Sequence, residues 1–142
     1  MKQYPSRLKY KKNHKTSSSI LYLEEQKNFQ PLKGYIVLKP LENYQLTYNQ
    51  IEACRKSIRR ALKKKGKIFI RIFTNISVTK KPIASRMGSG KGSHSHWIAK
   101  IKKGQVLCEF INYGFNFNQI FKALKEAANK LPVKVRISYN YY

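Results

Sequence analysis

The imbalance between positive and negative side chains limits what this chain can fold into. It contains 30 Lys and Arg residues, six Glu and no Asp, which gives a formal net charge of +24 over 142 residues. Six acids cannot neutralise thirty cations, so most cations must lie at the surface, where they repel one another unless a partner supplies negative charge. This balance favours nucleic acid as the partner. An anionic membrane surface is the alternative, and no apolar run has transmembrane length.

Two segments have the apolar spacing of amphipathic helices. The first begins at Thr47, which is expected to form a capping box with Gln50, and ends at a glycine cap at Gly66. The second begins at a cap at Asn118 and stops before Pro132, because proline cannot continue a helix.

Alternating apolar residues predict strands in five places: residues 34–39, 67–73, 97–101, 105–111 and 133–139. The turn Lys102-Lys103-Gly104 predicts that the third and fourth of these strands pair as a hairpin. Residues 75–82 are expected to be a connection. The sum is an α+β fold, with two helices packed on a mainly antiparallel β-sheet.

The chain is long enough for one domain, and we expect that domain to cover residues 31–142. A basic arm, residues 1–30, precedes it, and a long glycine-rich loop, residues 82–96, projects from it. The first 23 residues resemble a mitochondrial transit peptide in their basic, Ser-containing composition, which lacks acids until Glu24; a basic arm kept in the mature protein is the rival interpretation.

Three groups of residues are candidates for RNA binding, because cations contact phosphates and glycine lets the backbone approach a polyanion closely. The arm supplies Arg7, Lys9, Lys11, Lys12, His14 and Lys15. The polar side of the first helix supplies Arg55, Arg59, Arg60, Lys63 and Lys64. The glycine-rich loop supplies Arg86, Met87, Gly88, Gly90, Lys91 and Gly92.

Enzyme and cofactor patterns are absent or incomplete. The loop fails the phosphate-binding pattern of nucleotide-hydrolysing enzymes, because Ser85 stands at its first glycine and Gly92 follows Lys91. His94 and His96 are a weak metal signal without further ligands at suitable spacing. The six Glu are scattered and suggest no acid–base pair. We therefore expect no catalytic residue, no metal and no cofactor.

The two cysteines do not suggest a disulfide framework. Cys54 and Cys108 each fall on the apolar side of a predicted element, and we interpret both as small core residues.

A family resemblance rests on three segments taken in order. Residues 50–55 (QIEACR), 65–73 (KGKIFIRIF) and 81–92 (KPIASRMGSGKG), with Trp97 after them, resemble ribosomal protein L-sixteen of the large subunit. Residues 9–15 resemble the basic arm of that family, which argues against a cleaved transit peptide. Residues 17–45 and 111–119 depart from the family pattern.

The resemblance implies a structural protein that binds large-subunit, 23S-type rRNA near the A site and helps to position A-site tRNA. It implies neighbouring large-subunit proteins as further partners and a monomer within the ribosome. The frequent Lys, Asn, Ile, Tyr and Phe suggest an AT-rich genome, so we expect a mitochondrial ribosome, with a plastid or the bacterial cytoplasm as alternatives. A basic RNA-binding or RNA-processing factor outside the ribosome is the alternative function.

Overall fold

The computed structural model describes residues 4–14, 29–34, 36–63, 66–111, 114 and 116–139. Within that part the chain forms two helices and seven strands. In chain order they are β1 (Ile36–Pro40), β2 (Tyr44–Thr47), α1 (Tyr48–Ala61), β3 (Lys67–Ile70), β4 (Ile76–Lys80), β5 (Ser93–Ile101), β6 (Cys108–Ile111), α2 (Phe117–Ala128) and β7 (Val135–Tyr139). The predicted α+β class is confirmed.

The strands form two antiparallel sheets rather than the single sheet that we predicted. The larger sheet has the order β3-β6-β1-β7, and the smaller has the order β2-β5-β4. Both contribute to one core with the two helices: Leu38 and Phe110 come from the larger sheet, Leu46 and Ile101 from the smaller, and Ile58 from α1. This shared core holds the two sheets in one unit.

The predicted hairpin between residues 97–101 and 105–111 is wrong. β5 pairs with β2 and β4, whereas β6 pairs with β1 and β3. After the turn, the amide of Gly104 donates to the carbonyl of Pro40, and the amide of Leu107 donates to that of Leu38. The chain therefore crosses from one sheet to the other at the point where we expected it to fold back.

The interval predicted as a connection contains a strand. Residues 76–80 form β4, which pairs with β5 over most of its length, and β2 is a further strand that we did not predict. Both strands do alternate apolar and polar residues, as YQLT and ISVT, but each run is only about four residues long. The small sheet was thus only partly predicted, because these two short signals were missed.

The capping box of α1 is confirmed, but the predicted end of the helix is wrong. The amide of Gln50 donates to the Thr47 hydroxyl and the amide of Thr47 donates to the Gln50 side chain. The helix ends at Ala61, because Lys63 takes the left-handed conformation (φ 44°) that we assigned to Gly66. Helix α2 begins after Asn116 rather than after Asn118.

Glu109 has a completely buried side chain that ties the segment before β1 to the larger sheet. Its carboxylate accepts hydrogen bonds from the amides of Leu32, Lys33 and Gly34, at 3.1, 2.9 and 3.0 Å. It also pairs with the guanidinium of Arg71 at 3.2 Å. A buried carboxylate is tolerated when it is paired and hydrogen-bonded in this way.

Candidate nucleic-acid interface

The glycine-rich loop joins two paired strands. β4 and β5 run antiparallel, and their last paired residues are Lys80 and Ser93, with an irregularity in register at Val78/Thr79. The intervening residues 81–92 therefore form the end of a hairpin, and the loop ends earlier than the predicted residues 82–96, because residues 93–96 belong to β5. Ile83 and Met87 in this segment are fully exposed, so neither side chain packs in the core. Exposed apolar side chains can form part of an interaction site.

The three glycines of the loop serve two different purposes. Gly88 and Gly90 have positive φ angles of 101° and 81°, and a Cβ at either would meet no atom of the described chain within 4 Å. Gly92 has a steric role instead, because a Cβ there would lie 2.6 Å from the carbonyl carbon and oxygen of Lys80. Two glycines thus set the path of the loop, and the third lets the strands close at its base.

The basic arm and the loop contact each other. The Lys12 ammonium donates to the carbonyl of Lys91 at 3.2 Å, and the Lys91 ammonium donates to the carbonyl of Asn13. Within the loop, the Lys81 ammonium donates to the carbonyl of Gly88. In these bonds the lysines donate to backbone carbonyls and not to carboxylates, so the positive charge of the lysines is not neutralised.

The arm also contacts α1 near the start of the helix. The rings of Tyr4 and Tyr48 meet edge to face with centroids 5.2 Å apart, and the Lys9 ammonium lies 5.5 Å from the ring centre of Tyr10. The predicted arm residues that the structure describes are all exposed: Arg7, Lys9, Lys11, Lys12 and His14. Lys15 lies outside the described residues.

A cleft of about 280 Å³ lies where the arm passes the small sheet. Its lining mixes apolar residues of the sheet, such as Ile76, with Asn13 and His14 of the arm, Lys91 of the loop and Lys100 of the sheet. The arm, the loop base and the sheet therefore meet around this cleft.

The cations of α1 form a second group, and they are not equivalent. Arg59, Arg60 and Lys63 are exposed, whereas Arg55 is mostly buried and binds Glu52 through two hydrogen bonds, of 2.8 and 2.6 Å. This pairing with Arg55 lowers the pKa of Glu52. Lys64 lies outside the described residues. The geometry favours Arg59, Arg60 and Lys63 over Arg55 as phosphate contacts.

The histidines after the loop contact neighbours on the small sheet. His94 Nδ1 lies 2.7 Å from the hydroxyl of Ser77, and its ring packs against that of Trp97 with centroids 4.7 Å apart. His96 Nδ1 lies 3.1 Å from the hydroxyl of Ser95. In the part of the chain that the structure describes, no three His, Cys, Asp or Glu residues cluster in a way that could hold a metal ion.

Cys54 and Cys108 are both free and buried, which confirms their interpretation as core residues. They come from α1 and β6 and share a side-chain hydrogen bond, which together with burial raises the pKa of Cys108 well above its ordinary value. Such a thiol is unreactive at neutral pH.

An α+β domain with a cation-rich surface and an exposed basic hairpin loop is typical of the proteins of ribonucleoprotein particles. This chain belongs to one family of that class, because its residues 5–138 match the family described as Ribosomal protein L16p/L10e. The match includes residues 17–45 and 111–119, the two segments that we expected to depart from the family pattern.

Several bacterial proteins named large ribosomal subunit protein uL16 are similar to this chain over most of its length. That of Ureaplasma parvum is 43% identical over 134 residues, which is 94% of this chain and 93% of the relative. That of Chlamydia pneumoniae is 42% identical over 132 residues, 93% of this chain and 92% of the relative. That of Buchnera aphidicola is 39% identical over 130 residues, 92% and 91% of the two chains.

Family membership confirms a component of the large ribosomal subunit with a structural and not an enzymatic role. The protein therefore acts in translation, and its partners in the large subunit are rRNA and other ribosomal proteins. No helix in the described ranges is long and apolar enough to cross a membrane.

Sequence reasoning missed two features of this surface. The contact between Lys12 and Lys91 joins residues 79 positions apart, and no local pattern signals it. The pairing of Arg55 with Glu52 was accessible, because opposite charges three residues apart on a helix face each other.

Proposed function

We propose that this chain binds large-subunit rRNA near the A site and helps to position A-site tRNA. The observation that carries the proposal is the joining of arm and loop by Lys12 and Lys91, which brings exposed cations from two distant segments of the chain together. Lys12 and Lys91 donate to backbone carbonyls in these bonds, so their positive charge remains available to phosphates. The exposed cations of α1 would hold a further rRNA segment.

The three candidate groups take different parts in this proposal. Arg86 and Lys91 of the loop position rRNA or tRNA, because Gly88 and Gly90 let the backbone approach RNA closely. Arg59, Arg60 and Lys63 clamp rRNA phosphates. The chain would act as a monomer within the ribosome. Its frequent Lys, Asn, Ile, Tyr and Phe, which have AT-rich codons, support a mitochondrial ribosome, whereas its bacterial relatives fit the alternative of a bacterial cytoplasm.

Sedimentation tests the proposal directly. Tagged full-length protein from a mitochondrial lysate should migrate with large-subunit rRNA at both moderate and high salt, with the RNA in each fraction identified by sequencing. Many simultaneous phosphate contacts and burial in an assembled particle make release slow. Release at moderate salt, or migration with other RNAs, would instead support a basic RNA-binding factor outside the ribosome.

Replacing Arg86 with Ala tests the loop. We expect elongation to slow by up to about tenfold, the equivalent of about 1.4 kcal/mol of lost stabilisation, while occupancy of the variant in large subunits stays close to normal. Arg86→Lys should retain part of the rate, and Lys80→Ala, which removes an exposed cation outside the loop, serves as the matched control. An equal fall in rate and occupancy would mean that Arg86 has a structural role.

A further inference from the structure

Two exposed aromatic rings and one half-buried ring form a cluster where α2 meets β7. Phe117 and Phe121 are 51% and 43% exposed, and their ring planes are within 19° of parallel, with centroids 6.5 Å apart. The ring of Tyr139 lies 4.8 Å from that of Phe117. We call these three residues the α2–β7 aromatic cluster.

Phe117 and Phe121 lie outside the core, whereas Tyr139 is half-buried and packs against it. The buried residues of α2 are Ile120, Ala123, Leu124 and Ala127, which form its inner side. Phe117 and Phe121 are one helical turn apart and stack on each other outside that side. Single exposed apolar residues need no explanation, but two stacked exposed rings that continue through Phe117 to a third ring form a patch of the kind that marks an interaction site.

The charges around the cluster indicate what covers it. Lys125 lies one helical turn beyond Phe121, on the same side of α2, and is exposed. Glu126 is the only acid of the helix. Exposed aromatic rings beside a cation suit unpaired RNA, because a base stacks on the rings while a phosphate contacts the cation. An apolar protein segment would contact the rings but would leave the charge of Lys125 without a partner.

We propose that the α2–β7 aromatic cluster is a stacking platform for an unpaired nucleotide of large-subunit rRNA, with Lys125 contacting an adjacent phosphate. This inference rests on the rRNA binding of the proposed function, and it adds a base-stacking contact by residues of α2 and β7 that are not among the arm, loop and α1 candidates. Base–aromatic stacking holds a nucleotide in place, so losing it has a measurable effect on the local RNA.

Ultraviolet crosslinking in assembled large subunits gives the first test. Full-length wild-type protein should yield nucleotide adducts on the peptide that carries Phe117 and Phe121, identified by mass spectrometry after nuclease and protease digestion. Adducts at Phe117 or Phe121 would support the platform. Crosslinks from the same peptide to a neighbouring ribosomal protein, or no adducts there while the loop peptide is crosslinked, would overturn it.

Two matched double variants separate stacking from simple apolar contact. Phe117→Leu/Phe121→Leu keeps apolar side chains but removes the rings, whereas Phe117→Tyr/Phe121→Tyr keeps the rings. We expect the Leu pair to lose the adducts and to raise the 2′-hydroxyl acylation of the contacted nucleotide several-fold, and the Tyr pair to resemble wild type. Equal behaviour of the two pairs would mean an apolar protein contact and would overturn the proposal.

Sedimentation distinguishes the failure of this inference from that of the proposed function. If the wild-type protein does not migrate with large-subunit rRNA, the proposed function is wrong and the stacking platform falls with it. If it does migrate there, and the adducts are absent, only the stacking platform is wrong.

Discussion

Replacing Glu109 with Ala should lower the free energy of unfolding by about 3–5 kcal/mol, the usual cost of breaking a buried ion pair by removing one partner. The substitution would leave the guanidinium of Arg71 unpaired and would remove the acceptor of three amides, those of residues 32–34. A loss of this size is a large fraction of the stability of a small domain. Urea unfolding of the purified full-length protein measures it.

Two further variants make this test specific. Glu126→Ala removes an exposed acid and should change the unfolding free energy by no more than about 0.5 kcal/mol. Glu109→Gln keeps the shape and one carbonyl acceptor but loses the charge, and we expect an intermediate loss of about 1–3 kcal/mol. Similar values for Glu109→Ala and Glu126→Ala would contradict the structural role of Glu109.

Replacing Gly92 with Ala should disturb the base of the loop and destabilise the protein by about 1–3 kcal/mol, the usual cost of overpacking. The new Cβ would lie 2.6 Å from the backbone of Lys80, a contact that a rigid strand cannot relieve by moving a side chain. The β4–β5 pair must open, and the carbonyl of Lys91 must move away from Lys12. Thermal unfolding together with occupancy in large subunits measures both consequences.

Gly90→Ala is the matched control for this prediction. Its Cβ would meet no described atom within 4 Å, so the only cost is that of a positive φ, about 1 kcal/mol. We expect Gly90→Ala to alter the loop locally while β4 and β5 stay paired. If Gly92→Ala is tolerated better than Gly90→Ala, the close approach at Lys80 does not constrain the hairpin.

Local signals in the sequence were reliable in part, because the capping box was correct while the glycine turn and the caps at Gly66 and Asn118 were not. The capping box at Thr47 was predictable because both partners lie within one helical turn. The pairing of β5 with β2 was not predictable, because residues 44–47 and residues 98–101 are far apart in the chain. The short glycine turn at residues 102–104 instead suggested that the residues on either side of it form a hairpin.

The same distinction between local and long-range contacts explains which parts of the candidate site could be predicted from the sequence. The glycine pattern and the excess of cations are visible in the sequence itself, so the loop, the arm and the α1 cations could all be proposed as candidates from it. Glu109 looked like one of six scattered acids, because the amides that it binds lie 75 to 77 residues earlier in the chain. The α2–β7 aromatic cluster likewise needs Tyr139 and Phe117 to be brought together by folding.

The bonds between Lys12 and Lys91 also have a consequence for the timing of synthesis. The arm is made first, but the carbonyl that receives Lys12 is made 79 residues later. At about 5–20 residues per second, the delay is about 4–16 s. During that interval the basic arm cannot form its bond with the loop. Its cations are then free to bind any polyanion near the nascent chain.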